Sequence, residues 1–232
     1  MISNFVTIVI PCKNESSEIN LTLSLLNNQK YIDGTKVIIC DSSTDNTREV
    51  ISKGLYKNLE IDIIDGGLPS VARNNGSYLC STPYILFLDA DIFLVDKNTL
   101  IDSLNTIRKY SLHLVTCKFR VKGLYSFVFP IFEFFRKLMS YHTVFSVGGF
   151  MLFEKDKFIS IGRFNEEEQF AEDYRISMKI NPLFFYVMKN KVYTTDRRFK
   201  KKGLIYMIKM AILSMMNKNN PNFFKKDHNY WI

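Results

Sequence analysis

Apolar and polar positions alternate along the chain in two repeating lengths. Runs of apolar residues with the length of β-strands are separated by longer stretches in which apolar residues recur every three or four positions, as on one face of a helix. The strand-like runs lie at residues 5–10, 36–40, 59–64, 84–89 and 112–121. Repeated strand–helix–strand units predict an α/β fold, with a mostly parallel sheet covered by helices on both faces.

Polar residues that commonly cap helices precede the first two helical stretches. Ser16 or Ser17 can serve as the N-cap of the first helix, and Asp45 can cap the second. These positions place the start of each helix a few residues after the end of a strand.

The residues that follow the strands are chemically reactive rather than neutral. In an open parallel sheet, ligands bind outside the carboxyl ends of the strands. The segments at these ends are PCKNE (11–15), DSSTDNT (41–47), DGG (65–67) and DAD (89–91). We expect these acids, amides and hydroxyls to converge at one edge of the sheet and to form a binding site there.

The regular alternation ends after about residue 122. Segment 124–145 is rich in aromatic residues and is spaced like an amphipathic helix or a packed insertion. The later segments predict a Gly-Gly turn with a strand (146–158), a helix with an acidic first turn ended by Pro182 (165–181), a strand leading into a basic loop (183–199) and a basic, Met-rich amphipathic helix (201–218).

Length and composition fit a single domain, or one domain with an elaborated end. The chain has 232 residues, of which 47% are hydrophobic, enough for a substantial core. Its cysteines lie far apart, mostly in apolar runs, and are typical of reduced core residues in a cytosolic protein: Cys12, Cys40, Cys80 and Cys117. Residues 1–15 predict a first strand rather than a signal peptide, and no stretch has the uncharged apolar length of a membrane span.

The net charge of +8 is concentrated at the carboxyl end. Residues 183–232 carry 11 Lys and Arg against 2 Asp and Glu, whereas the preceding residues are close to neutral. This asymmetry indicates an anionic partner, such as a phosphate-bearing substrate, an acidic membrane surface or nucleic acid.

Two carboxylates follow the fourth strand-like run. Asp89 and Asp91 are separated only by Ala90, so in extended geometry both side chains point to the same side. Hard oxygen ligands in such a pair suit Mg²⁺ or Mn²⁺ held together with substrate phosphates. A pair of this kind also occurs in ordinary solvated loops, but its position at the ligand edge favours a metal site.

Six motifs occur in an order that resembles the family-2 glycosyltransferases of GT-A fold. They are TIVIPCKNE, VIICDSSTDNT, ARNNGS, ILFLDAD, GGFMLF and AEDYRI, and the resemblance covers roughly residues 5–200. It implies a Rossmann-like GT-A domain over residues 1–202, with a nucleotide-binding half up to about residue 95 and an acceptor half over about 96–202. Residues 203–232 would then form a basic amphipathic extension.

The resemblance assigns the nucleotide-binding residues. Those that match the nucleoside-holding positions are Pro11, Asn14, Glu15 and Asp41. Asn14 and Glu15 could also form a capping box before a helix. Arg73 matches a residue that reaches the base or the diphosphate, the alternative being an exposed helix arginine. Asp89 matches the ribose-side carboxylate that also contributes to the metal, and Asp91 the main metal ligand.

The resemblance also assigns the sugar and acceptor side. Gly148 and Gly149 match the glycine turn beneath the sugar, although an ordinary turn between strands is equally compatible. Asp173 matches the catalytic base that deprotonates the acceptor hydroxyl, and Glu172 would orient the acceptor. The alternative for all these acids is compensation of the helix dipole, which we accept for residues 166–168 only.

The basic segment after the last strand completes the expected site. Arg197 and Arg198 resemble a pair that neutralises the diphosphate leaving group, and residues 200–202 would be a solvated charge run or a membrane contact. Many relatives supply a further histidine ligand in this region, but none of the histidines of this chain (His113, His142 and His228) is at the matching position. Asp196, water or phosphate oxygens could complete the shell.

The sequence therefore predicts an inverting, metal-dependent transfer of a sugar from a UDP- or GDP-sugar to a hydroxyl or phosphate of a glycan or lipid-linked acceptor. Three alternatives remain open: a nucleotidyltransferase, a nucleic-acid-binding protein and a non-catalytic relative. The absence of glycine from PCKNESS disfavours the first, and the acidic strand ends disfavour a nucleic acid partner. We expect a cytoplasmic protein that binds peripherally to the anionic inner face of a membrane, unless residues 203–216 pack on the core instead.

Overall fold

A computed structural model describes residues 1–228 and contains one seven-stranded sheet. Its strands are β1 (Val6–Cys12), β2 (Thr35–Asp41), β3 (Leu59–Asp65), β4 (Tyr84–Leu88), β5 (Leu114–Val121), β6 (Phe150–Glu154) and β7 (Phe185–Thr194). The order across the sheet is β3-β2-β1-β4-β6-β5-β7. Only β6 runs antiparallel to its neighbours β4 and β5, so the predicted, mostly parallel α/β sheet is confirmed.

Helices cover both faces of this sheet. They are α1 (Ile19–Asn27), α2 (Thr47–Lys53), α3 (Pro69–Tyr78), α4 (Thr99–Lys109), α5 (Val128–Met139), α6 (Lys155–Ser160), α7 (Glu172–Ser177), α8 (Arg197–Lys202), α9 (Leu204–Met216) and α10 (Pro221–Phe224). Alternate residues of each central strand pack on opposite faces. In β1, for example, Ile8 joins the core beneath α1 and α4, whereas Val9 joins the core beneath α3 and α6.

The first two helices begin later than the capping residues predict. The N-cap position of α1 is Glu18, with no side-chain cap, because the carbonyl of Glu15 already accepts the N–H groups of Glu18 and Ile19. The prediction of Ser16 or Ser17 as N-cap is therefore wrong. Asp45 lies one residue before the N-cap position of α2, yet its carboxylate still accepts the first helical N–H, that of Thr47, at 3.0 Å.

The expected long helix over residues 165–181 is reduced to α7. Ala171 has φ 54°, in the left-handed region, and the helix begins only after it. Glu168 therefore lies in a loop, where it is buried and accepts a hydrogen bond from Arg175 at 3.0 Å. The assignment of residues 166–168 to helix-dipole compensation is wrong, because these residues are not in the helix.

Two further segments differ from the predictions. The expected basic loop after β7 contains the short helix α8, and the strand-like run after the Gly-Gly pair ends at Glu154, where α6 begins. In α6, the carboxylate of Glu154 accepts the N–H of Lys157 and caps the helix. The amphipathic helices predicted within 124–145 and 201–218 are present as α5 and α9.

The four cysteines, Cys12, Cys40, Cys80 and Cys117, are buried and unbridged, as expected for core residues. Burial raises the pKa of the Cys40 and Cys117 thiols to about 12, which keeps them protonated and unreactive. Among residues 1–228, no helix has both the length and the apolar character needed to cross a membrane.

Candidate active site

The carboxyl ends of β1, β2 and β4 meet at one edge of the sheet because these strands are parallel neighbours. Cys12 and Asp41 are paired in register at the ends of β1 and β2. The half-buried Pro11 lies just before them in β1, opposite Cys40. β7 reaches the same edge, since Phe93 and Tyr193 exchange two backbone hydrogen bonds at 2.8 and 3.1 Å. The predicted convergence of chemically reactive segments is therefore present.

Asp41 is buried at the end of β2 and is held by two partners. Its carboxylate accepts hydrogen bonds from the Ser43 hydroxyl at 2.5 Å and from Arg48 Nε at 2.7 Å. Arg48 extends to Asp65 at the end of β3, at 2.9 Å. This chain of charges fixes the orientation of Asp41 and exposes the guanidinium of Arg48 at the rim.

Asn14 ties the loop after β1 to the loop after β2. It has φ 54°, its N–H donates to the Ser43 hydroxyl at 2.8 Å, and its side-chain oxygen accepts the N–H of Thr44 at 2.9 Å. Because α1 starts only at Ile19, neither Asn14 nor Glu15 forms a capping box, and that alternative is wrong. Asn14 shapes the wall of the site beside Asp41.

Arg73 is almost fully buried in α3 and bridges two acids from different elements. It donates to Asp89 at 2.7 Å and to Glu172 at 2.5 Å. The interpretation of Arg73 as an exposed helix arginine is therefore wrong. Its guanidinium joins Asp89, just after β4, to the start of α7.

Gly148 has its close neighbours in this same cluster. Its N–H donates to Asp173 Oδ2 at 2.5 Å. A Cβ at this position would lie 2.6 Å from the guanidinium of Arg73 and 3.3 Å from Asp173 Oδ2. The absence of a side chain at Gly148 is what allows Arg73 and Asp173 to approach the turn.

Gly149 meets a different constraint. A Cβ there would lie 2.7 Å from the side chains of both Ile92 and Phe119, inside the hydrophobic core. The two glycines of the motif thus serve different purposes in this structure: Gly148 makes room for charged groups, and Gly149 makes room for core packing.

Asp173 lies at the start of α7 with both carboxylate oxygens engaged. Besides the bond from Gly148, the N–H of Tyr174 donates to Oδ1 at 2.7 Å. Burial and the charge of Glu172 raise the pKa of Asp173 from 3.8 to about 7, although the charge of Arg73 acts in the opposite direction. The carboxyl group therefore changes its protonation state near neutral pH.

Asp91 lies among groups supplied by the end of β7. The hydroxyls of Thr194 and Thr195 are each 3.4 Å from Asp91 Oδ2, and Arg197 Nη2 is 3.9 Å from the same oxygen. Burial and the neighbouring charge of Asp89 raise the pKa of Asp91, while Arg198 and Arg197 lower it. The positive charges of Arg198 and Arg197 therefore stabilise the charged form of Asp91.

This donor set fits a hard divalent cation. Asp91 and Asp89 offer carboxylate oxygens that repel each other, and a cation would relieve that repulsion. Among the described residues, no group of three His, Cys, Asp or Glu side chains gathers at metal-ligand spacing. Asp196, the expected substitute ligand, is buried against Gly123 and pairs with Lys200 at 2.8 Å. The remaining coordination positions are therefore left for oxygens of substrate or water.

Arg197 and Arg198 open the short helix α8 above this acid pair. Arg197 donates to Glu15 at 2.6 Å, and burial raises the pKa of Glu15 despite this contact. Arg198 is half-buried, and its charge reaches Asp91. Beside them is a cavity of about 560 Å³, lined by Glu18, Thr195, Asp196, Arg197, Lys200 and Lys201.

Sequence reasoning missed three residues of the site: Arg48, Thr194 and Thr195. Arg48 follows directly after the DSSTDNT segment, and the two threonines stand immediately before the Asp-Arg-Arg run. All three residues are therefore adjacent to residues that the sequence assigns to the site. Attention to the whole turn after each strand, rather than to its acids and arginines alone, would have identified all three.

Comparison with known proteins agrees with this architecture. The family model described as glycosyl transferase family 2 matches residues 7–186. A curated relative, the amylovoran biosynthesis glycosyltransferase AmsB of Erwinia amylovora, is 37% identical over 90 residues, which are 37% of this chain and 30% of AmsB.

Solved structures share the fold at low sequence identity. Staphylococcus aureus TarS in complex with UDP-GlcNAc superposes with a TM-score of 0.64 at 20% identity, covering 82% of this chain and 58% of TarS. The mannosyltransferase PcManGT of Pyrobaculum calidifontis, in complex with GDP-Man and Mn²⁺, gives 0.67 at 18% identity, covering 89% and 64%. The chain spans about a third of AmsB and less than two thirds of either solved neighbour.

The match to the family model extends over most of the chain and includes the ends of β1, β2 and β4 at the site, while the solved neighbours share the fold. The chain belongs to glycosyltransferase family 2 and has the GT-A fold.

Proposed function

We propose that this chain transfers a sugar from a nucleotide-sugar donor to an acceptor, in a metal-dependent reaction that inverts the anomeric centre. The observation that carries the proposal is Asp173, a carboxyl group with its pKa raised to about 7, which accepts the N–H of Gly148 and faces the charge of Arg73, the ion-pair partner of Asp89 after β4. The donors in the neighbouring structures, UDP-GlcNAc and GDP-Man, support the donor class.

The donor nucleoside would lie beside Asp41 and Asn14. A buried carboxylate held by Arg48 offers a fixed acceptor for base or ribose hydrogen bonds, and the loop tied by Asn14 provides a wall next to it. Glu15 and Pro11 would border the same pocket. Arg73, which already contacts Asp89, would hold the ribose-side carboxylate in position.

The diphosphate would lie between Asp91 and the arginines of α8. A divalent cation such as Mg²⁺ or Mn²⁺, held by Asp91 with Asp89, supplies Lewis-acid stabilisation of the diphosphate charge. Arg197 and Arg198 can add bidentate hydrogen bonds to phosphate oxygens. Arg197 contacts Glu15 at 2.6 Å, so it must release Glu15 before it can bind the phosphate oxygens of the nucleotide-sugar.

Asp173 would act as the general base. Its carboxylate accepts the proton of the acceptor hydroxyl while the hydroxyl oxygen forms the new bond to the anomeric carbon and the bond to the diphosphate breaks. The attack comes from the face opposite the leaving group, so the configuration inverts. A carboxyl group with its pKa near 7 is a stronger base than an ordinary aspartate, and this is the property that proton removal requires.

For the acceptor we propose a glycan or lipid-linked molecule with a free hydroxyl or phosphate. The turn at Gly148 and the acid Glu172 border the space next to Asp173, where the acceptor would lie. Helix α5, which precedes Gly148 in the sequence, exposes apolar side chains, and so does helix α9. These side chains favour a lipid-linked acceptor.

The test is release of nucleoside diphosphate across a panel of UDP- and GDP-sugars with Mn²⁺ or Mg²⁺, with and without excess chelator. We expect one donor to be consumed, and the chelator to stop its consumption. Consumption that continues unchanged in chelator would contradict metal dependence. Donor binding without consumption of any donor, with acceptors present, would indicate a protein that only binds.

A further inference from the structure

Helix α5 exposes its apolar face and buries two of its charged residues. The outward stripe consists of large apolar side chains that are each more than half exposed: Phe127, Ile131, Phe134, Phe135, Leu138 and Tyr141. The buried residues of α5 are Glu133 and Arg136, the latter only 1% exposed. This is the reverse of the usual arrangement of a helix packed on a sheet.

The reason for this reversal lies in β5. Its neighbour β6 pairs only with Leu114 and Val115, so the rest of that edge of β5 needs other hydrogen-bond partners. Glu133 accepts the N–H of Phe119 at 2.9 Å, and Arg136 donates to the carbonyl of Cys117 at 3.1 Å. Rolling α5 to bury its aromatic residues would leave these backbone groups of β5 without partners, so the apolar stripe is held outward.

The same surface continues onto α8 and α9. Phe199 of α8 stacks on Tyr125 at 5.4 Å between ring centroids and contacts the ring of Phe129 in α5 at 5.8 Å. α9 follows α8 directly and packs on the molecule through Met210 and Ser214. Its other side exposes Ile205, Ile208, Ile212 and Met216. We call the exposed sides of α5, α8 and α9, which α8 links, the α5–α9 face.

The charges on this face have one sign. Within residues 118–141 and 197–216, which the structure describes throughout, the only acid is Glu133, and it is buried. The exposed or half-exposed basic residues are Lys118, Arg120, Lys122, Lys137, Arg197, Arg198, Lys200, Lys201, Lys202 and Lys209. At the border of this face, Glu18 is a half-exposed acid that lines the cavity beside Arg197, Lys200 and Lys201, and the basic residues outnumber it. An apolar patch bordered mostly by positive charge complements a surface that is apolar inside and anionic outside.

We propose that the α5–α9 face docks on an anionic lipid bilayer, with the aromatic stripe of α5 inserted at the headgroup boundary and the lysines of α8 on the lipid phosphates. A second copy of the chain is a poorer occupant, because pairing two such faces would bring together many like charges with too few exposed acids to neutralise them. Since α8 begins with Arg197 beside Asp91, a docked molecule would hold its active-site edge near the membrane surface.

Co-sedimentation with vesicles tests this proposal. The full chain is mixed with vesicles of phosphatidylcholine alone or of phosphatidylcholine with phosphatidylglycerol, at low and at high salt. We expect binding to the anionic vesicles and much weaker binding to the neutral ones. The double variant Phe134→Gln, Phe135→Gln should lower the partition coefficient at least about tenfold. Lys137→Gln with Lys201→Gln should lower it severalfold and weaken its dependence on salt.

Matched variants remove residues of the same kind elsewhere. Leu55→Gln with Leu183→Gln replaces two leucines that are each 82% exposed, and Lys30→Gln with Lys57→Gln replaces two exposed lysines. Both should bind vesicles like the unaltered chain, with thermal unfolding measured for every variant. Equal binding to neutral and anionic vesicles, unchanged binding of a folded Phe134/Phe135 variant, or a dimer in light scattering that these two substitutions dissociate would overturn the proposal.

Discussion

Two buried arginine–carboxylate groups in this molecule look alike but differ in their charge balance. In α5, Arg136 pairs with the single acid Glu133, and both also bind the backbone of β5. At the edge of the sheet, Arg73 pairs with Asp89 and Glu172, and the nearby carboxylate of Asp173 also stabilises its positive charge. The first group is electrically balanced, whereas the second has an excess of negative charge.

This difference in charge balance distinguishes a structural ion pair from a ligand-binding site. A balanced pair leaves nothing for a ligand to neutralise, and its removal affects folding. An excess of buried carboxylates raises pKa values and creates a demand for a proton or a cation. The raised pKa values of Asp173 and Asp91 express that demand. The following changes test the distinction, from the largest expected effect to the smallest.

Asp173→Asn should abolish transfer, lowering kcat by roughly three orders of magnitude or more, because the amide cannot accept the acceptor proton. Calorimetric binding of UDP or GDP with Mn²⁺ should be retained, since the amide oxygen can still accept the N–H of Gly148. The control Asp156→Asn changes an exposed aspartate on α6 and should leave both measurements unchanged. Full activity of the Asp173 variant would contradict its role as the base.

Asp91→Asn should lower activity by about two to three orders of magnitude and raise the Mn²⁺ concentration needed for half-maximal rate, because a neutral amide is a weaker ligand than a carboxylate. A manganese titration of the rate measures both effects. Asp33→Asn, at an exposed position, is the matched control. An unchanged manganese dependence would show that Asp91 does not hold the metal.

Arg136→Met should act on stability instead. It leaves Glu133 buried without its partner, and we expect the free energy of unfolding to fall by about 3 kcal/mol. Urea unfolding measures this, and the rate per folded molecule should not change. Lys137→Met, the exposed neighbour on α5, should change stability by less than about 0.5 kcal/mol. Lost activity at unchanged stability would instead link α5 to the site.

The pH dependence of stability gives the smallest effect. Because the pKa of Asp173 is raised from 3.8 to about 7, the folded state binds a proton between these values that the unfolded state has released. The stability contributed by this group is complete below pH 3.8 and is lost as pH rises through 7. The amide can accept only one of the two backbone N–H groups that the carboxylate accepts, and this loss is the same at every pH. We therefore expect the stability of Asp173→Asn relative to the unaltered chain to be about 1–3 kcal/mol more favourable at pH 8 than at pH 5.

Urea unfolding of both forms across this pH range checks the sign. The rate should follow the opposite course, with kcat/KM rising through an apparent pKa near 7 as Asp173 becomes a base. A variant whose stability relative to the unaltered chain does not rise between pH 5 and pH 8 would mean that the charged carboxylate is not costly to bury.

Much of the nucleotide-side edge was predictable from the sequence. Apolar runs such as residues 84–89 can only be buried strands, and the parallel order of such strands brings Asp41 and Asp89 to one edge. The contacts that these acids make were harder to predict from the sequence. The bond from Arg73 to Glu172 joins residues 99 positions apart, and no local pattern in either segment reports it.

The helices after residue 122 show the limit of pattern reading. The acidic run at 166–168 has the composition of a first helical turn, but the left-handed backbone at Ala171 delays the helix, and Glu168 becomes a buried partner of Arg175. In α5, the periodicity predicts an amphipathic helix or a packed insertion but does not determine whether its apolar side faces the core. The apolar side faces outward because β5 needs hydrogen-bond partners where β6 ends.

The sequence by itself determined the alternating strands and helices, the sheet edge with its acids, and the resemblance to a glycosyltransferase family. These follow from local periodicity and from the rule that parallel strands share a carboxyl edge. The tertiary structure alone decided the protonation of Asp173, the partners of Asp91 and the outward face of α5. Each of these depends on burial and on charges brought together from distant segments, and such quantities exist only once the chain is packed.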